Sequence, residues 1–329
     1  MTNVAIIGLK GHQGVVLEGI AQMPDVRLAA AADDSEEALA RIKGSPAADA
    51  DTKTYGDHSE MLDKEYVHIA VHCGTDGGRA DVLVECARRG LHTVSEKPLA
   101  MTLDELGAVR EAVAQSDVRL SMLLTMRLEP MYAGVREAIA AGRIGEVVLA
   151  TMQKSYKLGN RPEWQRDRRT FSGVIPFIGI HALDLIRWST GREFTEAMAY
   201  QSNAAHPELR DMEDNATVAL KLDNGGSASA RLDYCRPATA PTHGDDRLRV
   251  AGSEGVIEAR GAASSVTLMT QDEAPHELPL ADGDNLFVDF VRSIGGRGES
   301  RIPAEDCFRM TEIVLKARAA AETGRPVPL

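Results

Sequence analysis

A glycine-rich turn that follows the first apolar run is the sequence feature that most constrains the fold of this chain. The apolar run Val4-Ala5-Ile6-Ile7 leads into Gly8-Leu9-Lys10-Gly11-His12-Gln13-Gly14, and apolar residues at helical spacing come next. A second apolar run over 26–32 completes a strand, a helix and a strand. Two strands joined by a helix pair in parallel through a crossover connection, so the chain is predicted to begin with a parallel sheet.

Short apolar strands continue to alternate with helices through the first 123 residues. The predicted strands are 67–71, 91–95 and 119–124, and the predicted helices between them are 80–89 and 102–115. Apolar strands of this kind are buried on both faces of a sheet. The pattern therefore predicts a doubly wound α/β domain over 1–123.

The rest of the chain has a different pattern, which predicts a second α/β domain over 124–329. A helix is predicted over 130–144 and a strand over 147–152, and the segment 153–172 is polar and rich in arginine. Six strands joined by hairpin-type turns follow, and then two helices; their predicted bounds are 194–201, 216–222, 227–234, 247–252, 255–260 and 264–270 for the strands, and 284–295 and 304–323 for the helices. This order predicts a mostly antiparallel, open sheet.

The charge and the hydropathy pattern argue against two classes of partner. Acidic residues outnumber basic residues by 49 to 37, which gives a net charge of −12. A negative chain repels a polyphosphate, so we expect no nucleic acid as a partner. No apolar run approaches the ~18 residues of a membrane span, and no signal-peptide pattern opens the sequence. We expect a cytoplasmic protein that does not bind membranes.

The spacing of cysteine and histidine does not indicate a metal site. The four cysteines lie far apart, without the Cys-x-x-Cys spacing of zinc and redox motifs. Other possible ligands are scattered through the second half: His206, Glu213, Asp214, His243 and Asp245. We expect no metal cofactor.

The glycine-rich turn is a candidate binding site for a dinucleotide. Its spacing is G-x-x-G-x-x-G where the common motif is G-x-G-x-x-G, but it follows a strand and opens a helix whose N-terminal amides favour an anion. Asp33 ends the second strand, which is the position that binds a ribose diol. No arginine follows before Arg41 to hold a 2′-phosphate, so NAD(H) is favoured over NADP(H). The alternative is a turn without a ligand.

The tripeptide Glu96-Lys97-Pro98 is predicted to form the second part of this site. It follows the strand 91–95, and ligands bind at the carboxyl ends of the strands in such sheets. Pro98 also permits a cis Lys97–Pro98 peptide bond. The candidate cofactor-binding residues are Gly8, Lys10, Gly11, His12, Gln13, Gly14, Asp33, Glu96 and Lys97. For Lys10 and His12 a surface position is the alternative, and for Asp34 a solvated loop or helix N-cap is favoured.

The motif Val94-Ser95-Glu96-Lys97-Pro98-Leu99-Ala100, with the glycine-rich turn, resembles the Gfo/Idh/MocA family of NAD(P)-dependent oxidoreductases. Further matching stretches are 126–132, 142–146, 179–184 and 322–327. The resemblance implies an N-terminal Rossmann domain and a C-terminal α/β domain whose open sheet often forms oligomer contacts. It also implies sugar or polyol substrates, a lysine (here Lys97) near nicotinamide and substrate, and a homodimer or homotetramer.

The second signature of the family has the form D-x-G-x-H-x-x-D, and here it spans Phe177 to Asp184. The histidine and the last aspartate match as His181 and Asp184, but Phe177 stands where the first aspartate is expected. The resemblance implies that His181 carries the proton, and an imidazole has a suitable pKa for that role. Asp184 is expected to bind a substrate hydroxyl. The alternative for His181 is a core histidine on an apolar helix.

Two polar segments of the second domain are candidates for substrate binding. The insertion 153–164 combines cations with aromatic rings, and the segment 236–247 is dense in polar residues for a hairpin connection. Cations can bind hydroxyl or acidic groups, and flat rings can pack on a sugar. The candidate residues are Tyr156, Lys157, Arg161, Trp164 and His243, with Asp245 beside them. A solvated face and tight-turn chemistry are the alternatives.

These features together predict an NAD-dependent dehydrogenase of a sugar or cyclic polyol, with Lys97 and His181 as catalytic residues. One alternative is a lyase, epimerase or glycosidase that oxidises its substrate transiently and regenerates the cofactor. The other is a nucleotide-sensing binding protein without catalysis. Phe177 favours that second alternative, whereas the retained Lys97 and His181 argue against it.

Overall fold

The computed structural model describes residues 1–329, which form two compact units. The first consists of Met1–Thr125 and Asp284–Thr311, and the second of Met126–Gly283 and Glu312–Leu329. The sequence predicted two continuous domains divided after residue 123. The first unit takes in a later segment as well, because Asn285 and Phe287 pack against the first helix at Gly19.

The strands and helices alternate in the first third of the chain and then separate into groups. The strands are β1 Thr2–Ile7, β2 Val26–Ala32, β3 Lys53–Tyr55, β4 Ile69–His72, β5 His92–Ser95, β6 Leu120–Met122, β7 Val147–Lys157, β8 Phe194–Ser202, β9 Asn215–Leu222, β10 Ser227–Arg236, β11 Arg247–Gly252, β12 Gly255–Arg260, β13 Ser265–Thr270, β14 His276–Glu277 and β15 Val327–Pro328. The helices are α1 Gln13–Ala21, α2 Glu36–Lys43, α3 His58–Lys64, α4 Arg79–Arg88, α5 Leu103–Ala114, α6 Pro130–Ala140, α7 Ile180–Thr190, α8 Leu286–Ile294 and α9 Ala304–Thr323.

The first unit contains a six-stranded sheet in the order β3-β2-β1-β4-β5-β6. All neighbouring strands are parallel, which confirms the predicted doubly wound sheet. The strand order reverses direction between β1 and β4. In such sheets ligands bind outside the carboxyl ends of the strands at this point, and both the glycine-rich turn and the loop after β4 begin there.

The second unit contains a nine-stranded sheet in the order β14-β13-β12-β11-β7-β10-β9-β8-β15. Only β7 and β10 pair in parallel, so the prediction of a mostly antiparallel sheet is confirmed. Along β9 and β10 buried and exposed side chains alternate. The helices α6 and α7 of this unit pack on the buried face, which leaves the other face of the sheet open.

Two predicted boundaries in the second unit are wrong. The helix predicted to reach residue 144 ends at Ala140, because Gly142 and Gly145 adopt left-handed backbone angles of +75° and +69° and turn the chain. The strand predicted to end at residue 152 continues to Lys157, because β7 gains hydrogen-bonded partners on both sides. The polar segment predicted to be an insertion therefore begins as a strand.

None of the helices is both long enough and apolar enough to cross a bilayer.

Candidate active site

The glycine-rich turn connects β1 to α1 and leaves room for close approach of other groups. Gly8 has a left-handed φ of +77°, and a Cβ there would lie 2.5 Å from the Cα of Gly74. A Cβ on Gly11 would lie 2.2 Å from Oε1 of Glu96. The helix α1 begins at Gln13 without a side-chain cap, so its N-terminal amides are placed to bind an anion.

The side chains of the turn are bonded to other protein groups. Lys10 Nζ lies 2.8 Å from Oδ1 of the exposed Asp34, and the Gln13 side chain accepts a hydrogen bond from the Gly11 amide at 3.1 Å. His12 contacts the Glu96 carboxylate through its amide and through Nδ1, the latter at 2.7 Å. The amides of residues 8–12 also donate hydrogen bonds to protein groups. The turn therefore offers an anion mainly the N-terminal amides of α1, which agrees with the surface alternative considered for Lys10.

Asp33 ends β2 with a buried carboxylate that orders two neighbouring segments. Its Oδ2 accepts a hydrogen bond from the Leu9 amide at 2.7 Å, and its Oδ1 accepts one from the Ser35 amide at 2.8 Å. Ser35 is the N-cap of α2, whereas Asp34 is exposed. The hydrogen bond from Lys10 lowers the pKa of Asp34 below its usual value.

Glu96 and Lys97 follow β5 and are both buried, with exposed fractions of 3% and 2%. Burial alone would raise the pKa of Glu96, but His12, Lys97 and Arg79 lower it to about 2, so Glu96 is ionised at neutral pH. The Lys97–Pro98 peptide bond is cis, which confirms the conformation that the sequence permitted. The first unit therefore brings together the glycine-rich turn, Asp33 and the Glu96–Lys97 pair.

His181 lies in the second unit, in the first turn of α7. A π-helical turn over Ile175–Gly179 leads directly into this helix and contains Phe177. Such turns are rare and occur frequently at functional sites. His181 is 7% exposed, so the structure places it at the edge of the core.

Asp184 forms a buried ion pair that the sequence analysis missed. Both oxygens of its carboxylate accept hydrogen bonds from Arg127, at 2.8 Å to Nε and at 2.5 Å to Nη2, and neither side chain is more than 2% exposed. The expected contact with a substrate hydroxyl stays a prediction, but the structure adds Arg127 as the partner of Asp184. The stretch 126–132, which matches the family, contains Arg127 and was the signal for it.

Phe177 belongs to an aromatic cluster with Trp164 and Phe171. The three rings meet edge to face, with centroids 5.9 Å apart for Trp164 and Phe177 and 5.1 Å apart for Phe171 and Phe177. An apolar ring among aromatic rings needs no polar partner. Trp164, a predicted substrate-binding residue, therefore packs on Phe177 at the position where the family signature has a carboxylate.

Three other predicted substrate-binding residues gather around Tyr234. Tyr156 stacks on His243, with ring centroids 5.3 Å apart, and also faces Tyr234 at 6.3 Å. The Arg161 guanidinium lies over the Tyr234 ring at 4.2 Å. Lys157 joins this group through its backbone: its amide donates to the carbonyl of His243 at 3.0 Å, and its carbonyl accepts a hydrogen bond from Nη2 of Arg161 at 3.3 Å.

Asp245 is bound to neighbouring arginines. It accepts hydrogen bonds from Arg247 at 2.9 and 2.7 Å and lies 3.5 Å from Arg236. The Arg247 hydrogen bond lowers the pKa of Asp245 below its usual value. These contacts fix the loop before β11 and account for the polar density of this segment.

A second ion pair, between the buried Lys154 and the half-buried Asp246, was also not predicted from the sequence. Lys154 Nζ lies 2.6 Å from Oδ2 of Asp246 and 5.1 Å from the centre of the Tyr156 ring. Burial opposes the charge of Lys154, but Tyr156 and Asp246 raise its pKa above its usual value. A cavity of about 430 Å³ lies beside the pair, lined in part by Glu129, Tyr132 and Asp246. The polar segment was predicted to be a loop, so the inward direction of Lys154 was not expected.

Comparison with known proteins identifies two family models. The model of the oxidoreductase family with an NAD-binding Rossmann fold matches residues 2–124, and the GFO/IDH/MocA C-terminal domain matches residues 132–258. The chain is 32% identical over 249 residues to the myo-inositol dehydrogenase Hyg17 of Streptomyces leeuwenhoekii. This alignment covers 74% of this chain and 73% of the relative. It is 24% identical over 272 residues to the myo-inositol 2-dehydrogenase of Thermotoga maritima, covering 82% and 78% of the two chains.

A solved structure of an oxidoreductase from Thermotoga maritima has the same fold. Its TM-score is 0.93 at 32% sequence identity, over 99% of this chain and 100% of that chain. The parallel sheet with its glycine-rich turn, the Glu96-Lys97-Pro98 motif and the helix with His181 all lie within the regions that the two models match. On these grounds the chain belongs to the Gfo/Idh/MocA family of oxidoreductases with an NAD-binding Rossmann fold.

Proposed function

We propose that this protein is an NAD(H)-dependent dehydrogenase that oxidises a CH–OH group of a sugar or cyclic polyol. The observation that carries the proposal is the buried Glu96–Lys97 pair at the end of β5, whose carboxylate contacts the glycine-rich turn at His12. The inositol dehydrogenases among the relatives support a cyclic polyol as the substrate class.

The residues of the first unit fit a dinucleotide. The uncapped start of α1 suits a pyrophosphate, and the carboxylate of Asp33 at the end of β2 suits a ribose diol. No arginine lies between Asp33 and Arg41 to bind a 2′-phosphate, which favours NAD(H) over NADP(H). A bound NAD⁺ would supply the acceptor for the hydride that leaves the carbon carrying the substrate hydroxyl.

Two residues are proposed to handle the proton of that hydroxyl. The Lys97 ammonium donates a hydrogen bond to the hydroxyl oxygen and stabilises the negative charge that develops on it. The His181 imidazole accepts the proton as the hydride leaves. Asp184 fixes the guanidinium of Arg127, so we propose that it acts on a substrate hydroxyl through that arginine.

Phe177 is the residue that most favours candidate functions other than a dehydrogenase. The family signature has an aspartate at this position, and here the ring packs on Trp164 and Phe171. Without that carboxylate, Lys97 and His181 must carry the proton chemistry. A lyase, epimerase or glycosidase with transient oxidation is the second candidate, and a nucleotide-sensing protein without catalysis is the third.

The open face of the sheet in the second unit supports a proposal of self-association. Leu149 on β7 and Tyr200 on β8 are large apolar residues of this face, with exposed fractions of 37% and 67%. Exposed apolar residues on a broad sheet face are typical of an interface. We propose a homodimer or homotetramer.

The test of the proposed function compares Lys97→Ala with Lys43→Ala, an exposed lysine on α2. With NAD⁺ and a panel of inositols and sugars, wild-type protein is expected to produce NADH. Lys97→Ala should lower kcat by about 10²–10⁴-fold while the Kd for NAD⁺ changes little, because the lysine acts on the reacting hydroxyl. Lys43→Ala should leave both unchanged. An equal loss of turnover and of NAD⁺ binding in Lys97→Ala would count against the role of Lys97.

Product analysis separates the alternatives. Substrate conversion seen by NMR without net NADH would indicate transient oxidation. Binding of NAD⁺ without conversion of any compound in the panel would favour the non-catalytic function.

A further inference from the structure

A buried arginine of the first unit, Arg79, has no part in the proposed chemistry, although it lies beside the residues that carry it. It is the first residue of α4, and it is 1% exposed. The helix dipole opposes a cation at this end, and a buried charge without partners is strongly unfavourable. The position of Arg79 is therefore explained by the groups that its guanidinium binds.

All three nitrogens of the guanidinium donate hydrogen bonds. Nη2 donates to Oδ1 of Asp76 at 3.0 Å and to the carbonyl of Gly74 at 3.2 Å, and Nε donates to Nδ1 of His72 at 3.3 Å. Nη1 donates to the carbonyl of Pro98. The partners include one buried carboxylate and two backbone carbonyls from different loops.

These contacts join the two loops that surround the candidate cofactor site. Gly74 lies directly against the glycine-rich turn, since a Cβ on Gly8 would come within 2.5 Å of the Gly74 Cα. Pro98 is the residue directly after Lys97, and its carbonyl belongs to the Pro98–Leu99 peptide unit, so Arg79 holds the backbone one residue beyond the lysine. A single guanidinium therefore fixes the loop after β4 and the loop after β5 together.

His72 completes the cluster as a neutral acceptor. It ends β4 and is buried, and burial together with the Arg79 charge lowers its pKa to about 3. Because its Nδ1 accepts the hydrogen bond from Arg79, the ring carries its proton on Nε2. The cluster thus contains one cation, Arg79, and one anion, Asp76. Because His72 is neutral, it does not compete with Arg79 for the Asp76 carboxylate.

We propose that Arg79 is a positioning residue for Lys97 and orients the lysine through the Pro98 carbonyl. The inference rests on the proposed role of Lys97. A lysine cannot replace Arg79 in this function, because a guanidinium presents donors in a fixed plane to acceptors on several sides, whereas an ammonium is a single compact charge.

The test measures the reactivity of the Lys97 amine in the full-length protein without substrate. Competitive labelling with acetic anhydride, quantified by mass spectrometry, compares Lys97 with the exposed Lys43 of the same chain. In Arg79→Lys the labelling of Lys97 relative to Lys43 should rise by about tenfold, because the loop that buries the lysine is no longer held. The matched control is Arg88→Lys at the exposed end of the same helix, which should leave the ratio unchanged.

Enzyme kinetics supply a second measurement, which would stay unchanged if Arg79 had only a structural role. With a substrate identified from the panel, Arg79→Lys should lower kcat by about 10- to 100-fold with a smaller change in KM, and it should shift the pH dependence of kcat. Arg88→Lys should leave kcat, KM and the pH profile as in the wild type.

A folded Arg79→Lys protein that labels Lys97 at the wild-type ratio would overturn the inference. Should that variant fail to fold, Asp76→Asn decides in the same assay, because it leaves the guanidinium in place and removes its charge partner. A raised Lys97 ratio in Asp76→Asn supports the inference, and an unchanged ratio overturns it. Because labelling needs no turnover, a wild-type protein without dehydrogenase activity would contradict the proposed function separately.

Discussion

At the scale of single residues, Gly11 and Gly14 differ although both belong to the same turn. A Cβ on Gly11 would meet the Glu96 side chain at 2.2–2.7 Å, whereas a Cβ on Gly14 would meet nothing within 4 Å. The Glu96 carboxylate is buried and bonded to His12, so it cannot move aside without losing that contact. The sequence presents two equivalent glycines, and only the fold distinguishes them.

Gly11→Ala is therefore expected to destabilise the first unit by about 1–3 kcal/mol, the usual result of overpacking. It should also weaken NAD⁺ binding, because Glu96 is displaced beside the start of α1. Gly14→Ala is the control and should change the free energy of unfolding by less than about 1 kcal/mol, in the stabilising direction, since alanine favours a helix. Urea unfolding followed by circular dichroism and titration with NAD⁺ check both. Equal effects of the two substitutions would contradict this account.

His72 predicts a pH dependence of stability. Its pKa is about 3 in the folded protein, mainly because of burial and then because of Arg79 and His58, while Glu96 acts in the opposite direction. The unfolded chain therefore binds a proton at His72 below its ordinary pKa of about 6.5, where the folded protein does not. The stabilising contribution is complete above pH 6.5 and is lost as the pH falls from 6.5 towards 3.

His72→Asn should flatten this dependence, because asparagine keeps an acceptor for Arg79 but does not titrate. Between pH 7 and pH 5 the free energy of unfolding of the variant should fall less steeply than that of the wild type. Glu96 does not obscure the comparison, since its pKa of about 2 places its titration below this range. His276→Gln, on the second unit, is the control and should keep the wild-type slope. A wild-type slope in His72→Asn would show that His72 is not held neutral by the fold.

At the scale of secondary-structure elements, the pair Arg127–Asp184 ties α7 to the turn that precedes α6. Both side chains are almost completely buried, and the carboxylate binds the guanidinium through two hydrogen bonds. Removing one partner of such a pair leaves an uncompensated buried charge. Both tryptophans, Trp164 and Trp188, lie in the second unit, so tryptophan fluorescence follows the unfolding of this unit alone.

Asp184→Asn should lower the free energy of unfolding of the second unit by about 3–5 kcal/mol, because Arg127 remains buried without a counter-charge. In Arg127→Met/Asp184→Asn the loss should be smaller than the sum of the two single losses. Asp223→Asn, on the exposed turn after β9, is the control and should change the value by less than about 0.5 kcal/mol. Additive losses in the double variant would mean that the two side chains do not stabilise the fold as a pair.

The elements also show which features of the fold could be predicted from the sequence alone. The parallel sheet, the glycine-rich turn and the position of Lys97 were predictable, because apolar runs, glycines and a proline act within a few residues of one another. Arg127–Asp184 and Lys154–Asp246 were not, since each pair joins residues that are far apart in sequence. Lys154 was harder to predict for a second reason: it lies in a polar stretch, and such a stretch resembles a loop. In the structure this stretch begins as a strand, in which every second residue points inward.

At the scale of the whole molecule, the nine-stranded sheet leaves open the face opposite to α6 and α7. Side chains on this face include Ser229 on β10, with Thr151 of β7 and Ala219 of β9 as its direct neighbours across the strands. Small side chains in the middle of a sheet allow a second surface to approach closely. A stable interface needs about 800 Å² from each partner, and this face is the natural candidate for it.

Ser229→Arg is expected to weaken self-association, because it places a long cation in the middle of the face, next to Arg231 and near Arg249. The dissociation constant of the oligomer should rise by at least about tenfold, as for other substitutions at the centre of an interface. The matched control is Glu137→Arg, an exposed position on α6, which packs on the opposite face of the same sheet. Light scattering after size exclusion and analytical ultracentrifugation measure the mass of each variant over a dilution series. If Ser229→Arg assembles like the wild type while Glu137→Arg dissociates, the interface lies on the helical side; if the wild type is itself a monomer, the proposal of self-association fails.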